Sequence, residues 1–76
     1  MDNLIATIPK NSRERVEVAL SEFTKDGVTF DMVSARVHYD DGGGQYKPGR
    51  NGLNIQVKLL PALVEALQQA EARARA

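Results

Sequence analysis

In the run QYKPGRNGLNIQVKLLPALV, from Gln45 to Val64, Lys47 and Arg50 flank a Pro-Gly pair directly ahead of the most regular alternation in the chain. Proline fixes one backbone angle and glycine permits a positive one, so Pro48-Gly49 predicts a stiff reverse turn holding two cations at a defined spacing. A pre-positioned guanidinium loses less entropy on meeting a phosphate, which makes polyanion binding the chemistry such a turn suits. A plain hairpin turn, its bases serving only solubility, accounts for the same residues. Arg36, His38, Arg13, Arg15, Lys58, Gln56 and Asn54 fall at solvent-side positions of the expected strands. They mix bases with polar donors, as a surface that tracks a sugar-phosphate backbone would. Phe23 and Tyr39 end two of those strands and are candidates for stacking on unpaired bases, at about 1 to 3 kcal/mol each. As rim residues of a core they would need no ligand.

Other chemistry is poorly served. The chain has one histidine, His38, no cysteine, and carboxylates scattered over strand faces and loops. Acid/base, nucleophilic and metal catalysis all need convergent groups that this set does not supply. Asp40-Asp41 beside glycines fits a solvated loop better than a cation site. No enzyme activity, cofactor, metal or small-molecule substrate is therefore expected.

Ten basic and ten acidic residues cancel, which argues against coating duplex DNA through bulk charge. Any polyanion site must be local, and from Gly42 to Pro61 the charges are Lys47, Arg50 and Lys58 with no acid among them. Hydrophobic and charged fractions of 42% and 26% suit a globular chain and indicate no membrane span. The start MDNLIATIPK shows no secretory leader, so a cytoplasmic location is expected, nucleoid-associated if the source is bacterial.

The elements that must position these residues follow from periodicity. Residues 1–12 read as an N-terminal arm or edge strand, with Leu4, Ile5, Ala6 and Ile8 ended by Pro9. Residues 13–60 read as an antiparallel sheet. Val16, Val18 and Leu20 alternate in a first strand from Arg13 to Phe23, and Asp26-Gly27 marks a hairpin. In the second, Val33, Ala35, Val37 and Tyr39 share one face while Ser34, Arg36 and His38 share the other. DDGGGQ is a flexible loop, and Leu53, Ile55, Val57 and Leu59 alternate in a third strand. Pro61 fits the first position of a helix over 61–73, with Leu60, Leu63, Val64 and Leu67 as its apolar stripe. A single α+β domain of 76 residues is near the limit of what one core can stabilise, and a homodimer through that stripe is the expected support.

YKPGRNGLNIQ after ARVHYDD, preceded by VEVALSEF and followed by a proline-started leucine helix, resembles the single-stranded-DNA-binding domain of the transcriptional coactivator positive cofactor four. It is still more similar to that family's small bacterial and phage members, as is the opening IPKNSRE. The resemblance runs roughly from Ile5 to Ala70. It implies a strongly curved antiparallel sheet backed by one C-terminal helix per subunit, dimerised through helix and sheet, with single-stranded nucleic acid across the strands. By motif match Lys47, Gly49 and Arg50 stand at the family's turn beside the nucleic-acid channel. Arg36 matches its basic strand residue, Tyr39 its strand tryptophan and Phe23 the aromatic ending the first long strand, with Lys25 near the following basic loop.

Several positions depart from the pattern. Tyrosine stands for tryptophan at 39, Thr24 stands where a base is frequent, and the loop after Phe23 is longer. Strict alternation also sets Tyr39 opposite Arg36, so both reach one ligand only if the strand bulges near Asp40. The acidic, serine-rich regulatory extension of the family has no counterpart, which leaves a coactivator role without residues behind it. The function expected is largely sequence-independent single-stranded-DNA binding by a homodimer, in transcription, replication or repair, with RNA as the alternative ligand. A protein-interaction module, docking a partner through a sheet edge or the helix stripe, is the competing reading.

Overall fold

Two periods and three turns determine the architecture. The computed structural model describes residues 3–76; Met1 and Asp2, the first two positions of the expected arm, lie outside the described residues. Strands β1 (Asn3–Pro9), β2 (Glu14–Lys25), β3 (Val28–Asp40) and β4 (Tyr46–Gln56) form one antiparallel sheet in chain order. A short 3-10 turn, Val57–Leu59, leads into helix α1, Leu60–Arg75. The expected plan of an antiparallel sheet followed by one C-terminal helix is the one observed.

Each turn has its own chemistry. Asp26 and Gly27 both adopt positive φ, 53° and 78°, the twist a two-residue hairpin needs, and β2 pairs with β3 without interruption from Glu14–Tyr39 to Lys25–Val28. Between β1 and β2, Asn11 Oδ1 accepts the N–H groups of Arg13 and Glu14, each at 2.9 Å. Between β3 and β4, Asp40 Oδ1 accepts from the N–H groups of Gly42 (2.8 Å) and Gly44 (3.1 Å), whose φ values of 106° and 82° favour glycine. The acidic loop is thus tied to its own backbone rather than free.

The two-residue period at Leu53, Ile55, Val57 and Leu59 stops as strand at Gln56. Beyond it the spacing of Leu60, Leu63, Val64 and Leu67 takes over, because a helix needs that three-and-four pattern to gather an apolar face. Pro61 accordingly sits at the second helical residue, one later than expected, where its missing N–H is still unneeded.

Register separates two faces. One gathers Ala6, Ile8, Val16, Val18, Leu20, Val33, Ala35, Val37, Leu53 and Ile55, and is apolar. The other carries Arg15, Glu17, Phe23, Lys25, Phe30, Ser34, Arg36, His38, Asn54 and Gln56. Among the described residues only Val33, at 7% exposure, is buried. Helix α1 does not pack across its own sheet, and the radius of gyration is 14.5 Å, where a compact chain of this length has about 11 Å. The single chain is a slab whose apolar face and leucine stripe are not covered by one another.

Candidate nucleic-acid interface

The segment expected as a reverse turn is part of strand β4. Arg36 pairs with Gly52 and His38 with Pro48, so Gly49, Arg50 and Asn51 oppose Val37 alone, a bulge of two extra residues. Pro48 is tolerated because β4 is an edge strand. Gly49 is not among the positive-φ glycines; its role, like that of Gly52, is close approach. A Cβ on Gly49 would lie 2.9 Å from Val37 O, and one on Gly52 would lie 2.7 Å from both Ala35 O and Arg36 Cα. Arg36 Nη1 spans the bulge and donates to Gly49 O (3.2 Å) and Arg50 O (3.4 Å). Long-range pairing with β3 therefore overrides the local turn preference of Pro-Gly.

On the polar face the side chains are linked. Arg15 Nε donates to Glu17 Oε2 at 2.9 Å, and the Arg15 guanidinium lies 3.8 Å from the centroid of the Tyr46 ring. His38 Nδ1 donates to Arg36 O at 3.2 Å, which turns Nε2 toward Glu17 Oε1 at 3.7 Å. Toward the hairpin tip, Phe23 stands opposite Phe30 and Lys25 opposite Val28, beyond Met32, where pairing with β4 ends. Phe23 is 53% exposed. Lys58, in the 3-10 turn, lies beside Phe30, Asp31 and Gln56. Phe23, Lys25, Arg36 and His38 are thus brought to one face, with Lys58 at its margin.

Tyr39 and Lys47 pair with each other on the opposite side, where Tyr39 and Arg50 border one depression with Glu14 and Val37. The bulge falls in β4 and leaves β3 in register with β2, so Tyr39 and Arg36 project to opposite faces; the bulge in β3 that would have joined them is not there. Lys47 is not a free cation: its Nζ lies 2.6 Å from Asp41 Oδ2. The Asp41 carboxyl is held below its ordinary range by the bond from Lys47 and then by the Gly43 N–H. Arg50 is in no ion pair among the described residues.

Of the helix stripe, Leu60 and Leu63 are half-buried, whereas Val64 and Leu67 are exposed. Among the described residues no cluster of three His, Asp or Glu side chains could hold a metal ion, and no helix is long and apolar enough to cross a membrane. Tyr46, Glu17 and Gly52 escaped the sequence reading as site residues. Tyr46 sits just ahead of the supposed turn, and a strand there would have placed it on the polar face by parity with Pro48.

Solved structures share this fold. A PC4 homologue from Burkholderia pseudomallei, in a tetragonal crystal form, matches with a TM-score of 0.77 over 93% of this chain and 98% of that one, at 24% identity. Its orthorhombic form gives 0.74 over 91% and 88%, at 25% identity. A MoSub1–DNA complex, described as revealing a novel DNA binding mode, gives 0.53 over 92% and 83%, at 29% identity. No family model and no curated protein sequence matches the chain.

Proposed function

We propose that this chain, PC4-like in fold, is a homodimeric, largely sequence-independent single-stranded-DNA-binding protein and not an enzyme. The observation that carries the reading is the division of the sheet. An apolar face and a leucine stripe stand open on one protomer, while the other face gathers Phe23, Lys25, Arg36 and His38. A second copy covers the apolar surface through Leu60, Leu63, Val64 and Leu67, which removes from water the area that a lone chain leaves exposed. The polar face then remains available to an unpaired strand, with cations for phosphates and aromatic planes for bases. The DNA held by the MoSub1 neighbour supports a nucleic acid as ligand.

Lys58 flanks this face, and Gly49 holds the bulge that presents Arg50, with Lys47 and Tyr39, at the sheet's edge. Such a protein acts in transcription, replication or repair, in the cytoplasm or on a nucleoid. Fluorescence anisotropy with labelled single-stranded, duplex and RNA oligonucleotides at low and moderate salt tests the proposal. Tight single-strand binding should weaken with salt on a modest slope, since each subunit offers only about four to six phosphate-reaching bases. The Lys47→Ala, Arg50→Ala double variant should bind more weakly across sequences while remaining a folded dimer. Unchanged affinity in that variant would remove the bulge from the site.

One feature favours the competing reading of a protein-interaction module. Edge strand β1 exposes Leu4, Ile5 and Ile8, which suits strand addition by a partner. An oligonucleotide titration without binding at low salt would select it.

A further inference from the structure

We infer that Tyr46 and the Arg15 guanidinium stacked on it form a second nucleobase-stacking station on the polar face, at the end of the sheet remote from Phe23. The inference rests on the single-stranded-DNA reading and deepens it. Tyr39 and Phe23 are the aromatics that strand ends suggest as stacking planes, yet Tyr39 projects to the apolar side. On the polar face the aromatic at that end is Tyr46, which begins β4 opposite Asp40.

Its partner is fixed in orientation. Arg15 lies 3.8 Å from the ring centroid, and its Nε donates to Glu17 Oε2 at 2.9 Å, so the guanidinium is held by Tyr46 on one face and by Glu17 at its edge. The Arg15 side chain remains 35% exposed, leaving an outer plane on which a base can lie, and an arginine plane stacks on bases as aromatic rings do. Between this station and the Phe23–Phe30 pair run Ser34, Arg36, His38 and Asn54, groups able to meet phosphate, sugar or base edges. An unpaired strand crossing the face thus meets stacking surfaces at both ends and polar contacts between them.

The ion pair gives this station a distinct signature. Because Glu17 already neutralises Arg15, the station contributes stacking and almost no release of counterions. Variants here should lower affinity without changing the salt slope, the opposite of what loss of a phosphate-contacting lysine does.

The test compares an oligothymidine with an abasic oligonucleotide of equal length, at two salt concentrations, for the full chain and for Tyr46→Leu and Arg15→Lys. Tyr46→Leu should bind oligothymidine roughly five- to a hundredfold more weakly. It should lose much of the preference for thymidine over abasic backbone, with an unchanged salt slope. Arg15→Lys, which keeps the charge and loses the plane, should move in the same direction. A folded Tyr46→Leu with the natural preference overturns the inference. Should that variant not fold, Tyr39→Phe leaves Tyr46 as the one tyrosine of a chain that has two, and its emission should be quenched by oligothymidine and not by the abasic strand. Equal emission with both overturns the inference as well. If the natural chain binds neither oligonucleotide, the single-strand reading fails, and this station fails with it.

Discussion

The two faces of the sheet differ in what a single chain does with them. On the polar face side chains satisfy one another: Arg15 with Glu17 and Tyr46, His38 with the Arg36 carbonyl, Arg36 with the carbonyls of the bulge. On the apolar face Val33 alone of the described residues is buried, and helix α1 does not cover its neighbours. A face of networked polar groups is complete in water and ready for a charged ligand. A face of valines and leucines is complete only against another apolar surface. The same chain therefore presents a finished surface and an unfinished one.

The largest expected effect breaks the unfinished side. Leu67 is 58% exposed on one protomer, a position at which a charge would be harmless if the chain acted alone. In a dimer built on the helix stripe, Leu67→Asp buries an unpaired carboxylate and should cost several kcal/mol, dissociating or unfolding the protein. Sedimentation velocity at micromolar concentration checks this. A folded monomer formed by the natural sequence would contradict the dimer itself.

A smaller effect is expected at the junction of the faces. The bulge of β4 depends on glycine at Gly52, where a Cβ would meet Ala35 O and Arg36 Cα at 2.7 Å, backbone atoms that cannot rotate away. Gly52→Ala should cost about 1 to 3 kcal/mol by forcing the strands apart, and should loosen the carbonyls that Arg36 holds. Gly42→Ala provides the contrast. Nothing lies within 4 Å of its would-be Cβ, so only the strain of φ 106° is felt, at roughly 1 kcal/mol or somewhat more. Thermal melts of both variants, with Gly52→Ala the lower, check the distinction between contact and conformation.

That distinction also marks how much was legible beforehand. The hairpin at Asp26-Gly27, the alternation through Val33, Ala35 and Val37, and the helix opened by Pro61 are local signals, and each produced the element it announced. Pro48-Gly49 is a local signal too, and it misled. What decides that segment is Arg36 reaching carbonyls 13 and 14 residues away and Gly52 lying against β3, contacts that only the folded sheet creates. Reading the segment as a turn also hid Tyr46, since a residue before a turn has no face. Conversely, the period of two did set Tyr39 opposite Arg36, and the register of β3 keeps it there. The acid that holds Lys47 was visible six positions upstream, yet only the loop tied down by Asp40 brings it within 2.6 Å.

That ion pair offers the smallest effect and the sharpest question about the two sides. Asp41 titrates below its ordinary value of 3.8 because Lys47 and then the Gly43 N–H stabilise its charged form. A carboxylate whose folded value is depressed stabilises the fold at pH above its unfolded value and loses that contribution as pH falls through the folded one. Acidification below pH 4 should therefore loosen the loop and free Lys47, an effect absent in Asp41→Asn and weakened by salt, since the pair is exposed. Following the Lys47 ammonium and Asp41 carboxyl by NMR titration checks the sign. At neutral pH, Asp41→Asn should raise affinity for single-stranded DNA only slightly, and only if Lys47, on the side away from Arg36, lies in the path of phosphates. Equal affinity and equal salt slope in the variant would leave the strand to Arg36, His38, Lys25 and the stacking groups, with the edge of β4 serving only the fold.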